Sequence, residues 1–260
     1  MKAFEIMNLL FSLAAPIDLS KTCDTCKCGD PQKEVSKIAV TMFATPDTVR
    51  DASRWGADLL IVHEPTYYNH YDIHSNEKLE CEKRSLLEST GMTVYRYHDH
   101  AHSTIPDVIG FGEFLEMGLR GKVEIAPTGA ARMHLDEPIT PLELLHVLKD
   151  RCGIKHPRLC GTRDKKCSVI SGMFGTPANV FEELKSDECE ILLTGEACEW
   201  MLGEYARDAH QLGHKKALII MGHIGSERAG MKYTVDILQK KLPDIESKYF
   251  ECGEVYTYTD

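Results

Sequence analysis

The chain has 260 residues, 43% of them hydrophobic and 27% charged, which is close to the average for soluble globular proteins. That composition excludes a disordered chain, a collagen-like fibre and a disulfide-dense miniprotein. The balance of 30 Lys+Arg against 40 Asp+Glu gives a formal net charge of -10 with no long basic run, so no nucleic-acid partner is expected, because phosphate contacts supply most of that affinity.

A chain of this length buries roughly 70–75% of its unfolded surface and needs no metal merely to fold. Any metal site is therefore expected to be functional. The apolar stretch Ile6 to Ala15 is interrupted by Asn8 and Ser12 and followed by Asp18. It is too short to span a bilayer, and without a basic leader it makes a poor signal peptide. The expectation is a cytoplasmic protein with no membrane partner and with its ten Cys mostly reduced.

In chain order, Phe4, Met7, Leu10, Phe11 and Ala14 recur at helical spacing, predicting an amphipathic helix over 3–14. A polar loop follows over 20–30. Lys37 to Phe43 reads as a buried strand. Thr45-Pro46 reads as an N-cap with proline at the first helical position, and Gly56 as the stop. Asp58 to Val62 is a continuous apolar run, as in a strand covered on both faces. A helix is expected over 78–89, a strand over 92–97, a helix over 110–119 and a strand over 122–126. The stretch 128–135 has no clear period.

A second series begins at Thr140. Helices are expected over 141–151, 177–185, 198–211 and 227–240. Strands are expected over 158–161, 167–172, 190–193, 216–221 and 246–250. Strand alternating with helix implies a layered α/β fold with largely parallel sheets. The two series share their order, which divides the chain into related, intertwined halves over 1–127 and 128–260.

Three segments carry metal-capable side chains where predicted strands end, the place where ligands collect in open α/β sheets. The first is His63-Glu64-Pro65. Adjacent strand residues face opposite ways, so both side chains serve one site only if the strand breaks there, which Pro65 favours. The second runs from His98 to His102 through Asp99 and His100. His98 and His102 are four apart, on one side of a helical turn. Asp99 is placed to fix an imidazole tautomer. The third is Gly222-His223-Ile-Gly225-Ser226-Glu227, read as a tight turn followed by a helix that Ser226 caps. The bland readings are a strand-terminal His, a His-rich polar loop and a first-turn Glu.

In a single parallel sheet the three ends would lie along one rim. His63, Glu64, His98, His102, His223 and Glu227 are more donors than one catalytic zinc takes. They suit two divalent ions about 3.5–4 Å apart. Two such ions, two carboxylates and a bridging hydroxide leave about one positive charge, a host for an anionic substrate.

His63-Glu64-Pro65, the His98–His102 pair and Gly222-His223 with Glu227 resemble the signatures of the Nif-three-like dinuclear metal proteins, the type 2 homologues of GTP cyclohydrolase I. Gly29-Asp30, Ala44-Thr45-Pro46, Gly56-Ala57-Asp58 and Leu193-Thr-Gly-Glu196 extend the resemblance over nearly the whole chain. It implies two related α/β halves with a two-metal site in the cleft between them, no inserted domain, and a toroidal homohexamer. The first motif is commonly His-His-Pro in that family, where this chain has Glu64. The middle motif commonly pairs His with a later Asp, where this chain has His102. The total of four imidazoles and two carboxylates is kept. Zn, Mn, Fe, Ni and Co all remain open as the two ions.

The expected activity is that of a metal-dependent hydrolase in which a metal-bridged hydroxide attacks a small anionic or nucleotide-like substrate. Glu196 is the candidate proton shuttle or supporting group, and His100 is expected to contact substrate or support a ligand. Tyr67, Tyr68 and His70 are candidate pocket residues. The alternatives are a non-catalytic metal-binding or scaffold protein, and a thiol sensor built on Cys23, Cys26 and Cys28.

Overall fold

The computed structural model describes residues 1–259. In chain order the elements are α1 (Ala3–Phe11), β1 (Cys26–Cys28), β2 (Lys37–Thr41), α2 (Pro46–Trp55), β3 (Leu59–Val62), α3 (Lys78–Thr90), β4 (Thr93–Arg96), α4 (Asp99–His102), α5 (Val108–Met117), β5 (Gly121–Ile125), β6 (Ala131–Ile139), α6 (Pro141–Asp150), β7 (Arg158–Gly161), β8 (Cys167–Met173), α7 (Val180–Lys185), β9 (Ile191–Thr194), a π-helical turn (Glu199–Gly203), α8 (Glu204–Gln211), β10 (Ala217–Ile220), α9 (His223–Lys241) and β11 (Glu246–Tyr249). None of these helices is long and apolar enough to cross a membrane.

The chain divides into two compact units. One comprises Met1–Ile109 with Gly230–Asp260, and the other Gly110–Ala229. The chain passes between them within α5 and returns within α9. The sequence division at 127/128 falls inside the second unit, between the paired strands β5 and β6.

The first unit holds a five-stranded sheet in the order β1-β4-β3-β2-β11. Its strands are parallel except β1, which runs antiparallel to β4. The apolar run at β3 is buried at every residue, as a strand covered on both faces must be. Between β2 and β3, the Thr45 hydroxyl caps α2 by accepting from Thr48 N at 3.2 Å, and Gly56 ends the helix at φ 84°. Val49, Ala52, Leu60, Val62, Leu87 and Val94 pack together in the core here. The edge strand β1 approaches β4 so closely that a Cβ on Gly29 would lie 2.4 Å from the Met92 carbonyl oxygen. Only glycine fits there, at φ +82°.

The second unit holds a six-stranded sheet in the order β5-β6-β8-β9-β10-β7. Its centre, β8-β9-β10, is parallel, and its flanks are antiparallel. A mixed α/β fold with two sheets, each built around a parallel core, is therefore the observed class.

Three details differ from the sequence expectation. Strands β3 and β4 are neighbours in one sheet, but β10 belongs to the other, so the three motif-bearing ends do not share one rim. Each sheet has its own core, and the chain alternates between them. The loop expected over 20–30 contains β1, and the unassigned stretch after residue 128 contains β6. Finally, α9 starts at His223 rather than at Glu227, so Ser226 lies inside the helix and caps nothing.

Candidate metal centre

In the first unit the parallel register pairs Val62 with Arg96, which brings the ends of β3 and β4 side by side. The chain bends directly after Val62. The amides of His63 and Glu64 both donate to the Met42 carbonyl, at 3.2 and 3.0 Å. The bend frees both side chains from strict alternation, and Glu64 Oε1 stands 4.0 Å from His63 Nε2 and 3.8 Å from His98 Nε2. After β4, α4 makes a single turn in which the His102 amide donates to the His98 carbonyl at 3.0 Å.

The rings of His63, His98 and His102 form a near-equilateral set, with centroids 4.7, 5.1 and 5.0 Å apart. One nitrogen from each lies within 4.8 Å of the others. A tetrahedral ion about 2.1 Å from each donor needs donors about 3.4 Å apart, so small side-chain rotations close the set. These residues fit a divalent cation.

The proton positions follow from the partners. His63 Nδ1 lies 2.9 Å from the Tyr97 carbonyl, which can only accept. His98 Nδ1 lies 3.0 Å from Asp99 Oδ1. His102 Nδ1 faces Asp107 Oδ2 at 3.5 Å. For His63 and His98 the hydrogen-bonded partner at Nδ1 is an acceptor, which places the proton there and leaves Nε2 the lone pair that a metal requires. Burial pushes the His98 imidazole below its usual pKa, and the neighbouring His63 and His102 push the same way, against the Asp99 hydrogen bond. His98 is thus held in the neutral form that ligates. Burial would raise the Asp99 carboxyl, but His98, the Cys23 amide and the Thr22 hydroxyl outweigh it and hold the group well below the usual carboxylate range.

In the second unit, α9 opens with His223 and Glu227 on one face. His223 Nε2 lies 3.3 Å from Glu227 Oε2, and His223 Nδ1 lies 2.7 Å from Glu196 Oε1. Glu196 sits just past β9, where its amide donates to the Gly175 carbonyl at 2.9 Å. Here too Nδ1–H is held by an oxygen and Nε2 faces a carboxylate, the donor chemistry of a metal half-site. Thr176 Oγ1 is a further neighbour of Nδ1 at 3.3 Å.

Other predicted residues lie elsewhere. His100 is buried, bonded to Asp24 through Nδ1 at 2.7 Å and stacked on Phe11 at 4.0 Å between centroids. It braces Asp24, which also accepts from the His98 amide at 2.7 Å. Tyr67 is a core residue. Tyr68 is exposed, with Lys83 Nζ 4.9 Å from its ring centroid. His70 is exposed, its ring 5.8 Å from that of His98.

Burial works against the thiolate form in the cysteine loop. Burial pushes the Cys23 thiol up to about 12 and raises Cys26 and Cys28 as well, whereas redox-active cysteines need the opposite shift. Cys26 Sγ donates to the Cys28 carbonyl at 3.3 Å.

The sequence reading missed Arg96. This guanidinium is fully buried, donates through Nε to the His63 carbonyl at 2.9 Å and through Nη1 to the His70 carbonyl, and brings Nη2 to 3.7 Å from Glu64 Oε2. It stands beside the carboxylate of Glu64 and offsets its charge. The signal was visible as one charge inside an otherwise uncharged buried strand. Asp24 and Asp107 gave no comparable signal.

The sequence profile of the family described as Duf34/NIF3 (NGG1p interacting factor 3) matches residues 1–254. A Clostridium perfringens protein named GTP cyclohydrolase 1 type 2 homolog is 23% identical over 237 residues, covering 87% of each chain. A protein of the same name from Clostridium acetobutylicum is 23% identical over 252 residues, covering 93% of this chain and 90% of its own. Among solved structures, a Bacillus cereus protein related to NIF3 superposes with a TM-score of 0.78 at 13% identity, covering 100% of this chain and 99% of its own. Reduced HcgD from Methanocaldococcus jannaschii gives 0.72 at 18% identity, covering 96% and 97%. With its whole fold and nearly its whole sequence matched, the chain belongs to the DUF34/NIF3 family.

Proposed function

We propose that this chain is a metal-dependent hydrolase acting on a small anionic, nucleotide-like substrate. Two divalent ions would be held by His63, Glu64, His98, His102, His223 and Glu227. The observation that supports the reading is a shared pattern at four imidazoles: each has an oxygen at Nδ1, and Nε2 of His63, His98 and His223 each faces a carboxylate of its own unit. Such support fixes tautomer and ring angle and raises ligand basicity. The curated relatives' name, GTP cyclohydrolase 1 type 2 homolog, agrees with a nucleotide-like substrate. When bound, the ions supply a water acidic enough to react near neutral pH and positive charge for the oxyanion that develops.

The chain's own residues do the rest. Glu196 Oε1 accepts the Nδ1 proton of His223. Its carboxylate is half exposed, so its other oxygen is free to relay a proton between solvent and substrate. His100 and Asp24 hold the backbone of His98 in place. Arg96 offsets the charge of Glu64, which leaves the loaded site net positive and attractive to an anion.

The test is turnover by manganese- or zinc-loaded protein on GTP and a panel of phosphorylated and cyclic amide compounds. Wild type is expected to turn over at least one member, and His223→Ala to lose more than about a thousandfold, as several kcal/mol of lost charge stabilisation implies. Metal-replete wild type without turnover on the panel would leave a non-catalytic metal-binding protein.

A further inference from the structure

We propose that Cys23, His70 and Asp99 form an additional metal site, separate from the six-donor set, for one thiophilic divalent ion such as zinc. One ligand atom from each of the three lies within 4.8 Å of the other two. They come from three segments of the first unit: the loop before β1, the loop after β3, and the turn after β4.

The Asp99 carboxylate is held in place before any ion arrives. The Cys23 amide and the Thr22 hydroxyl both donate to Asp99 Oδ2, at 3.0 and 2.8 Å. His98 Nδ1 holds Asp99 Oδ1 at 3.0 Å. A carboxylate oxygen has two acceptor directions, so Oδ1 keeps one for a cation. The His70 main chain is tied down by Arg96 Nη1 at its carbonyl. The contacts of the Cys23 thiol are loose by comparison, with Asp24 Oδ1 at 3.7 Å.

The donor set has a definite preference. One thiolate, one carboxylate and one neutral imidazole carry two negative charges, which a divalent ion neutralises. Sulfur, nitrogen and oxygen together select zinc over hard cations such as magnesium. Three protein donors leave a fourth position for water, and the exposed His70 gives a route from solvent. On loading, the Cys23 thiol proton leaves to solvent and the thiolate binds the ion. Asp99 then joins the two sites, with one oxygen on the imidazole of His98 and a lone pair on the added ion. The Cys-x-x-Cys spacing takes no part, because Cys26 Sγ is engaged with the Cys28 carbonyl.

Cobalt titration of metal-free protein tests this, because thiolate–cobalt bonds add a near-ultraviolet charge-transfer band that imidazole and carboxylate ligands lack. Wild type is expected to show the band, Cys26→Ser to keep it and Cys23→Ser to lose it. His70→Ala, at an exposed position, should raise the cobalt concentration needed to form it by at least about tenfold. The double variant His63→Ala, His223→Ala should keep the band while binding less cobalt overall. Absence of the band in wild type, its survival in Cys23→Ser, or an unmoved midpoint in folded His70→Ala would each overturn the proposal.

Discussion

His63→Ala is expected to weaken binding of the ion at the first-unit donors by more than about 100-fold, since loss of a mere supporting contact already costs 10–100-fold. The imidazole is fully buried at the end of β3, with its proton fixed by the Tyr97 carbonyl. Alanine deletes the lone pair and leaves that carbonyl without its donor. Elemental analysis of protein dialysed against dilute metal checks it. The substitution should remove metal without changing the far-ultraviolet spectrum, because His63 follows the strand rather than building it. Tyr67→Phe is the control. Its ring is also buried, but it packs in the core of the same unit, so metal content should hold. Equal metal in wild type and His63→Ala would contradict the site.

Arg132→Met is expected to cost about 3–5 kcal/mol of stability, the usual result of stranding one partner of a buried ion pair. In the second unit the fully buried Glu183 accepts from Arg132 Nε at 2.8 Å and Nη2 at 3.0 Å, from Ser171 Oγ at 2.6 Å and from Thr128 Oγ1 at 2.5 Å. Burial alone would raise the Glu183 carboxyl, but the Arg132 guanidinium and the two hydroxyls bring it below its usual value. A carboxyl depressed in the folded state adds stability above its unfolded pKa and loses it as pH falls through the folded value. Wild type should therefore weaken on acidification by this route, and Arg132→Met should weaken less. Urea unfolding at two pH values measures both effects. The pair Arg132→Met, Glu183→Leu should recover much of the loss, because a buried ion pair exchanged for apolar side chains is often neutral.

The parts of the fold that were legible in the sequence are those where one local signal dominates. The runs at β3 and β10 are buried along their whole length, and Thr45-Pro46 with Gly56 bounds α2 within a residue of expectation. Strand β6 was opaque because it carries Arg132, His134, Asp136, Glu137 and Pro138 among its apolar residues. Only antiparallel pairing to β5 and β8 makes it a strand. The start of α9 was misplaced because Gly222 and Gly225 read together as a turn. Gly222 does turn, at φ +81°. Gly225 is helical and lies against Ile154, where an added Cβ would sit 3.4 Å from Cγ1.

The candidate donors stood out because imidazoles at strand ends are uncommon and were clustered. Their supports were legible only in part. Asp99 adjoins His98, and Glu196 stood out after Thr194-Gly195. The support of His63 is a main-chain carbonyl, which no side-chain pattern reveals. Asp24 reaches His98 and His100 from 74 and 76 residues away. His100 looked like a site residue because it sits between the candidate donors His98 and His102, whereas its ring stacks on Phe11.

Anomalous scattering from crystals grown with manganese or zinc addresses the claim that imidazole and carboxylate donors here bind paired ions. The expected map has two peaks about 3.5–4 Å apart, bonded to Nε2 of His63, His98, His102 and His223 and to the carboxylates of Glu64 and Glu227. A map with no anomalous density at these atoms, from protein soaked in excess metal, would contradict it.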